Sequence, residues 1–311
     1  MTIGKRSRIY VAGHLGMAGS AIVRRLRAGG YQNLLLRSRA ELDLLDQGAV
    51  RSWMQRERPE YVFHAAGKVG GIAANDRERA AFLYENLVLE TNIIHAAWEA
   101  GATGLLFLGS SCIYPRDCPQ PIREEYLLTG PLEQTNEPYA IAKIAGVKLC
   151  ESYNRQYGAK FVAVMPTNLY GPNDNYDLES SHVLAALLRK AHEAKARGER
   201  RLVVWGSGAP RREFLHADDL ADACVFLMER GVGEGMFNVG TGVDVAIREV
   251  AGIIMEAVGL DGEIAFDASK PDGTPRKLLD VSRMKALGWT ARIELRAGIR
   301  SAYEDLRLSL R

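Results

Sequence analysis

The chain of 311 residues carries 40 basic and 38 acidic side chains, a formal net charge of +2, with 47% hydrophobic and 25% charged residues. These are the proportions of a globular protein large enough to bury a sizeable core, and they exclude disordered and collagen-like classes. Balanced charge without a long Lys/Arg run excludes a nucleic-acid stripe, and no apolar stretch approaches the ~18 residues of a membrane span. A small molecule is therefore the expected partner. Residues 1–8 are short and polar, without the apolar region of a secretory signal. The four cysteines, Cys112, Cys118, Cys150 and Cys224, form no C-x-x-C pair and no zinc-like spacing with histidine, so reduced thiols, a cytoplasmic location and no metal are expected.

Residues 8–13 read as a strand ending in glycine, followed by a tight turn and an amphipathic helix over 20–28. Gly13, Gly16 and Gly19 are spaced to permit that turn, to let backbone approach a pyrophosphate and to pack helix on strand, while the helix N-terminus attracts the anion. Residues 34–36 form the second strand. Its end carries Arg37 and Arg39 where an NAD site usually places an acid for the ribose 2′-hydroxyl; arginine there suits a 2′-phosphate, hence NADP. Residues 61–66 are a third strand. A long helix over 76–99 places Leu83, Leu87, Ile94 and Trp98 at helical spacing, to pack on the sheet or on a partner helix.

Residues 104–109 form a fourth buried strand, and it delivers Ser110 and Cys112 to its carboxyl end, where functional groups of parallel sheets gather. In the helical stretch 135–146, Tyr139 and Lys143 lie one turn apart and leave the same face. A phenol titrates near ~10, and an ammonium beside it favours the phenolate, which suits Tyr139 to move a proton at neutral pH. Asn136 is positioned to cap this helix, Glu137 suits its positive end, and Pro138 fits the first turn. Residues 160–171 read as a strand leaving into a loop through Pro166, Thr167, Asn168 and Leu169. Residues 172–181 lack apolar periodicity and read as a loop into a second lobe. A helix over 182–196 begins at His182 and carries Arg189 and Lys190. A strand over 202–206, a helix from Ala217 with Asp218 and Asp219 at its N-terminus, a strand over 235–240 and a loop over 266–277 complete the order. Strands alternating with helices imply right-handed crossovers and an α/β, doubly wound parallel sheet.

Gly13, Gly16 and Gly19, Ser110, the Tyr139-x-x-x-Lys143 pair and the 168–171 loop together resemble the extended short-chain dehydrogenase/reductase family. The strings at 108–115, 135–143, 165–172, 212–216 and 269–277 closely resemble its sugar-nucleotide 3,5-epimerase-4-reductases, and the likeness covers nearly the whole chain. The resemblance implies a Rossmann-like NADP-binding domain over 1–172, with 212–240 returning to it, and a smaller α+β substrate-binding lobe mainly within 173–311. It implies that GDP-4-keto-6-deoxy-D-mannose is epimerised at carbons 3 and 5 and then reduced at carbon 4 by NADPH, giving GDP-L-fucose. Cys112 would be the base and His182 the acid of epimerisation; Ser110 and Tyr139 would hold the enolate oxygen; Tyr139 would protonate the carbon 4 alkoxide, with Lys143 lowering its pKa and holding the nicotinamide ribose.

By position, the cofactor contacts would be Gly13, His14, Leu15, Gly16, Met17, Ala18, Gly19, Arg37, Arg39, Leu108, Gly109, Ser110, Ser111, Lys143, Pro166, Thr167, Asn168, Leu169 and His182. The substrate contacts would be Lys190, Trp205, Arg212, Asp272 and Lys277, the cations binding the GDP pyrophosphate. Leu15 stands where many bacterial members carry a basic residue, which leaves the 2′-phosphate to Arg37 and Arg39. Lys190 stands where an arginine is expected and offers a point charge without a bidentate fork. The helices over 76–99 and 139–157 would pair with their symmetry mates as a four-helix bundle in a homodimer. Two other readings compete: an NAD-recycling 4-epimerase or 4,6-dehydratase on the same fold, and a non-enzymatic NADP-binding scaffold. Cys112 with His182 argues against the first, and an intact Ser110, Tyr139 and Lys143 against the second.

Overall fold

The computed structural model describes residues 2–270 and 272–310; Met1, Arg311 and Pro271, the last within the 269–277 string, lie outside the described residues. Twelve strands run in chain order: β1 Ile9–Ala12, β2 Leu34–Leu35, β3 Tyr61–His64, β4 Gly104–Leu108, β5 Phe161–Pro166, β6 Asn168–Tyr170, β7 Arg201–Trp205, β8 Arg211–His216, β9 Met236–Val239, β10 Asp244–Ala246, β11 Glu263–Asp267 and β12 Arg276–Lys277. The helices are α1 Met17–Ala28, α2 Gln47–Glu57, α3 Ile72–Arg77, α4 Arg79–Glu99, α5 Glu137–Tyr157, α6 Val183–Ala196, α7 Ala217–Glu229, α8 Ile247–Val258, α9 Ser282–Ala286 and α10 Leu295–Ser309.

Six strands form one sheet in the order β2-β1-β3-β4-β5-β9, every pair parallel. β1, β3, β4 and β5 are buried along their whole length, and their near-continuous apolar sequences are what burial on both faces requires. One face is covered by α1 and α7, whose Ile22, Leu26, Leu220 and Cys224 join the core beneath them. The other is covered by α2, α4 and α5 through Trp53, Ile93 and Val147. The chain goes from β1 outward to β2 and returns on the other side at β3. The carboxyl ends of β1 and β3 therefore flank the switch point at which such sheets bind ligands.

The rest of the chain builds a third apolar cluster from α6, α8 and α10, with Leu184, Leu188, Ile254 and Ile299 at its centre. Its strands pair in small groups: β8 lies between β10 and β12 and also pairs with β6, while β7 pairs with β11. Two local expectations change, and one further segment gains a strand. The 76–99 helix begins earlier and is broken at Glu78, whose backbone leaves helical geometry at φ −111° and ψ 35° between α3 and α4. Asn75 binds the carbonyls of Gly70 and Gly71 and so fixes α3 to the preceding loop. Residues 211–216, whose first three residues are charged, form β8, because β10 pairs with residues 211–213 and β6 with 214–216, and Glu213 to His216 are buried. Asn136 stands at the start of α5 without capping it: its side chain makes no cap bond and its Oδ1 is buried without a partner among the described residues.

Candidate active site

The glycine turn is built by steric need at two of its three positions. Gly13 has φ +79°, and a Cβ there would stand 2.7 Å from the backbone of Ala66; a Cβ at Gly19 would stand 2.1 Å from the carbonyl oxygen of Gly13. Both contacts are impossible for any other residue without moving backbone. Gly16 meets nothing nearer than 3.5 Å, so the fold does not demand its glycine. A bare position at the start of α1, with no side-chain cap on that helix, leaves its first amides open to an anion. His14, Leu15, Met17 and Ala18 complete the turn, with Leu15 69% exposed.

At the end of β2, Arg37 lies against Leu36, Trp53 and Glu57. Arg39 is 74% exposed, with Asp43 4.0 Å away, and its guanidinium is available to a phosphate. Leu108 ends β4, and Gly109, Ser110 and Ser111 follow it. Pro166 ends β5 and Thr167 leads into Asn168 and Leu169 of β6, tied down by the Thr167 amide donating to the Val239 carbonyl (3.1 Å) and Asn168 Nδ2 donating to the Glu213 carbonyl (2.8 Å). These residues line the switch point and suit an extended dinucleotide: backbone for the pyrophosphate, cations at the β2 end.

The proton-handling groups meet where β4 and α5 converge. Lys143 is 3% exposed, and its Nζ donates to the Leu108 carbonyl at 3.0 Å and lies 2.8 Å from Glu90 Oε1. Its ammonium is 5.8 Å from the centre of the Tyr139 ring. The expectation that Lys143 lowers the Tyr139 phenol is corrected here. The phenol is pushed up instead, first by burial, then by the charges of Cys112 and Glu90, with Ser110 acting the other way through a hydrogen bond. The leading physical reason is burial, and the carboxylate of Glu90, which meets the Lys143 ammonium, adds to it.

Cys112 is half-buried, its amide donates to Ser110 Oγ at 3.2 Å, and Lys277 Nζ approaches its sulfur to 3.5 Å. His182 precedes α6, open to solvent yet hemmed in by protein, which holds its imidazole below the ordinary value; the Lys277 cation adds to that effect. The structure thus brings Ser110, Cys112, Tyr139 and Lys143 together and sets Lys277 against the thiol.

The remaining polar residues assemble around β7 and β8. Lys190 stands 4.5 Å over the Trp205 ring and Lys270 5.4 Å from it, with Trp205 55% exposed. Partial burial holds the Lys190 ammonium below its usual value, against the opposing charge of Asp267. Asp272 accepts from the Ser207 amide (2.8 Å) and hydroxyl (2.7 Å). Arg212 donates to the carbonyls of Arg211 and Thr274. β12 lies in register with β8 so that Lys277 pairs with Arg212. An exposed indole bordered by cations suits a planar base followed by a diphosphate.

Three buried polar residues near these groups escaped the sequence reading. Glu90 was legible only as a lone acid on the apolar face of α4. His64 ends β3 fully buried, with both ring nitrogens unpartnered among the described residues. Glu213, also fully buried, accepts from the amides of Gly242 (2.7 Å) and Leu279 (3.0 Å) and so pins β12 and its Lys277 beside β8. A cavity of about 610 Å³ at the start of α5, lined by Asp76, Arg79, Pro131, Leu132, Gln134, Thr135 and Glu137, includes none of the groups above. Among the described residues, no cluster of His, Cys, Asp and Glu could hold a metal ion.

Residues 9–240 match the model of the NAD dependent epimerase/dehydratase family. The chain is 55% identical over 300 residues to "GDP-L-fucose synthase 1" of Arabidopsis thaliana, covering 96% of this chain and 93% of that one. It is 55% identical over 308 residues to the GDP-L-fucose synthase of Escherichia coli K12, covering 96% of each. A crystal structure of a GDP-L-fucose synthetase from Naegleria fowleri bound to NADP superimposes with a TM-score of 0.92 at 28% identity, over 100% of this chain and 97% of that one. The chain belongs to the NAD dependent epimerase/dehydratase family and, within it, to the GDP-L-fucose synthases.

Proposed function

We propose that this protein epimerises GDP-4-keto-6-deoxy-D-mannose at carbons 3 and 5 and then reduces carbon 4 with NADPH, giving GDP-L-fucose. The observation that carries this reading is the convergence of two kinds of proton chemistry on one site: Cys112, whose amide donates to Ser110 Oγ at 3.2 Å and whose sulfur lies 3.5 Å from Lys277 Nζ, stands beside the Tyr139 and Lys143 pair. A simple reductase needs the phenol alone.

Carbons 3 and 5 adjoin the ketone, so either can lose its proton if the resulting enolate oxygen is held. In this reading Cys112, as thiolate, takes that proton; Ser110 and Tyr139 donate hydrogen bonds to the enolate oxygen; His182 returns a proton from the opposite face. NADPH, when bound, supplies the hydride that forms the new bond at carbon 4. Tyr139 then gives its phenolic proton to the carbon 4 oxygen. Gly13 to Gly19 and Arg39 hold the dinucleotide, with Arg37 beside it; Lys190, Trp205, Arg212 and Asp272 hold the GDP end. We assign the cofactor and sugar contacts of Leu108 to Ser111, Lys143, Pro166 to Leu169 and His182 on the same grounds.

We read residues 1–172 with 212–240 as the dinucleotide-binding unit and 173–311 as mainly the substrate lobe. A homodimer through α4 and α5 is supported by their exposed or half-buried apolar residues, Leu87, Trp98, Ile141 and Tyr157, which a four-helix bundle would cover; a monomer by light scattering at micromolar concentration would refute it. A cytoplasmic location is supported by four free cysteines, suited to a reducing compartment; among the described residues no helix is long and apolar enough to cross a membrane. The reading is tested by adding the GDP-4-keto sugar to protein and NADPH: absorbance of NADPH should fall in step with sugar consumed, and no fall refutes it.

A further inference from the structure

The site described above has a charge behind it. Glu90, on α4, is 1% exposed, and its carboxylate faces Lys143 at 2.8 Å. Neither carboxylate oxygen has a well-aligned hydrogen bond from a described residue, so the ion pair is what compensates the buried charge. Gly146 leaves space for both neighbours: a Cβ there would stand 2.3 Å from the Phe107 ring and 2.9 Å from Glu90 Oε2.

The groups facing this carboxylate come from each neighbouring element. α5 contributes Lys143, Tyr139 and the buried thiol of Cys150. β3 contributes His64, which feels Lys143, and β4 contributes Phe107 and the Leu108 carbonyl that takes the ammonium's other bond. From α2, Arg51 reaches α4 only at Glu99, and Lys68 is engaged by Glu78 and Glu85. Burial pushes the Glu90 carboxyl up to about 6, and Lys143 restrains the rise.

Reduction needs Tyr139 to arrive protonated. In that step the O–H bond of the phenol breaks, its proton joins the carbon 4 oxygen, hydride from NADPH completes the C–H bond, and a phenolate is left for solvent to reprotonate. An uncompensated ammonium beside the phenol would stabilise the phenolate and favour the reverse, carbonyl-forming direction. We propose that Glu90 is a positioning residue for the reduction: it anchors and neutralises Lys143, so that Tyr139 keeps the proton it must deliver. This rests on the reductase reading above.

The test labels tyrosine with carbon-13 at the ζ position and titrates Tyr139, its signal assigned with Tyr139→Phe, in wild type, Glu90→Gln and Glu90→Asp. The expected result is that Glu90→Gln moves the phenol's titration down by about one pH unit or more, a tenfold change in proton affinity, and moves the alkaline limb of kcat for NADPH oxidation with it. KM for the sugar should stay within about twofold, since the carboxylate is behind the site. Glu90→Asp, which keeps the charge, should restore the wild-type titration. A folded Glu90→Gln protein whose phenol titrates at the wild-type pH overturns the proposal. If that variant does not fold, wild type carries the test: the nitrogen-15 signal of Lys143 must move as Glu90 titrates, and a silent signal overturns it. The titrations need no turnover, so they stand apart from failure of the reductase reading, which would show as wild-type protein that oxidises no NADPH.

Discussion

Lys277 places its ammonium 3.5 Å from the sulfur of Cys112, across 165 residues of chain. That contact fixes the direction of the sulfur that is to take the proton. Lys277→Met should therefore slow entry of solvent deuterium at carbons 3 and 5 by about tenfold, roughly 1.4 kcal/mol, while Lys277→Arg retains most of it. Proton NMR of the sugar in heavy water measures the exchange. A Lys277→Met variant exchanging at the wild-type rate would show that Lys277 serves only the diphosphate.

Cys112 and Tyr139 divide the two chemistries between them. Cys112→Ala should stop deuterium entry yet leave slow reduction to the unepimerised 4-hydroxy sugar. Tyr139→Phe should do the reverse, with NADPH oxidation lowered by about 10²–10⁴-fold, the usual contribution of a positioned acid, and some exchange surviving through Cys112 and Ser110. Mass spectrometry in heavy water read beside NADPH absorbance follows both. Undiminished exchange in Cys112→Ala would remove that residue as the base.

Arg39 extends into solvent at the end of β2 with only a distant acidic neighbour, whereas Arg37 is drawn back against Leu36 and Trp53. NADPH should accordingly support turnover better than NADH, and Arg39→Ala should raise KM for NADPH about tenfold, the loss of one exposed charge-assisted contact, with little change for NADH. Equal kcat/KM for the two cofactors in wild type would contradict the assignment.

The parallel sheet was legible because β1, β3, β4 and β5 are buried on both faces and so read as apolar runs between amphipathic helices. The glycine turn was legible for a related reason: Gly13 and Gly19 leave no space for a side chain. What could not be read is long-range. β8 gives no apolar run, since it lies in a small sheet assembled from distant segments, and it surfaces only once β6, β10 and β12 surround it. The break at Glu78 follows from a tether to the 70–71 loop. Tyr139 and Lys143 were visible as a pair, but the direction in which the phenol moves is set first by burial and then by Cys112 and Glu90, from other elements that local spacing does not connect to them.

His64 supplies a test of the interior. Buried with no partner for either ring nitrogen among the described residues, it is held neutral, well below the ordinary histidine value, by desolvation first and by Lys143 second. The unfolded chain takes up a proton there below about pH 6.5 and the folded chain does not, so stability falls as pH drops through that value. Glu90, pushed up to about 6, acts in the opposite sense, since the folded chain holds its proton longer; it is common to wild type and His64→Leu and cancels between them. Between pH 7.5 and 5.5, wild type should lose on the order of 1 kcal/mol more than His64→Leu. Thermal unfolding at the two pH values measures this, and equal losses would mean that His64 titrates normally.

The central claim is that one site carries both epimerisation and reduction, and a single reaction in heavy water tests it most directly. Protein, GDP-4-keto-6-deoxy-D-mannose and unlabelled NADPH are incubated in deuterium oxide, and the product is examined by NMR and mass spectrometry. The account predicts GDP-L-fucose with deuterium at carbons 3 and 5, protium at carbon 4, and one NADPH oxidised per sugar. A reduced sugar that retains protium at carbons 3 and 5 and the starting configuration would contradict it.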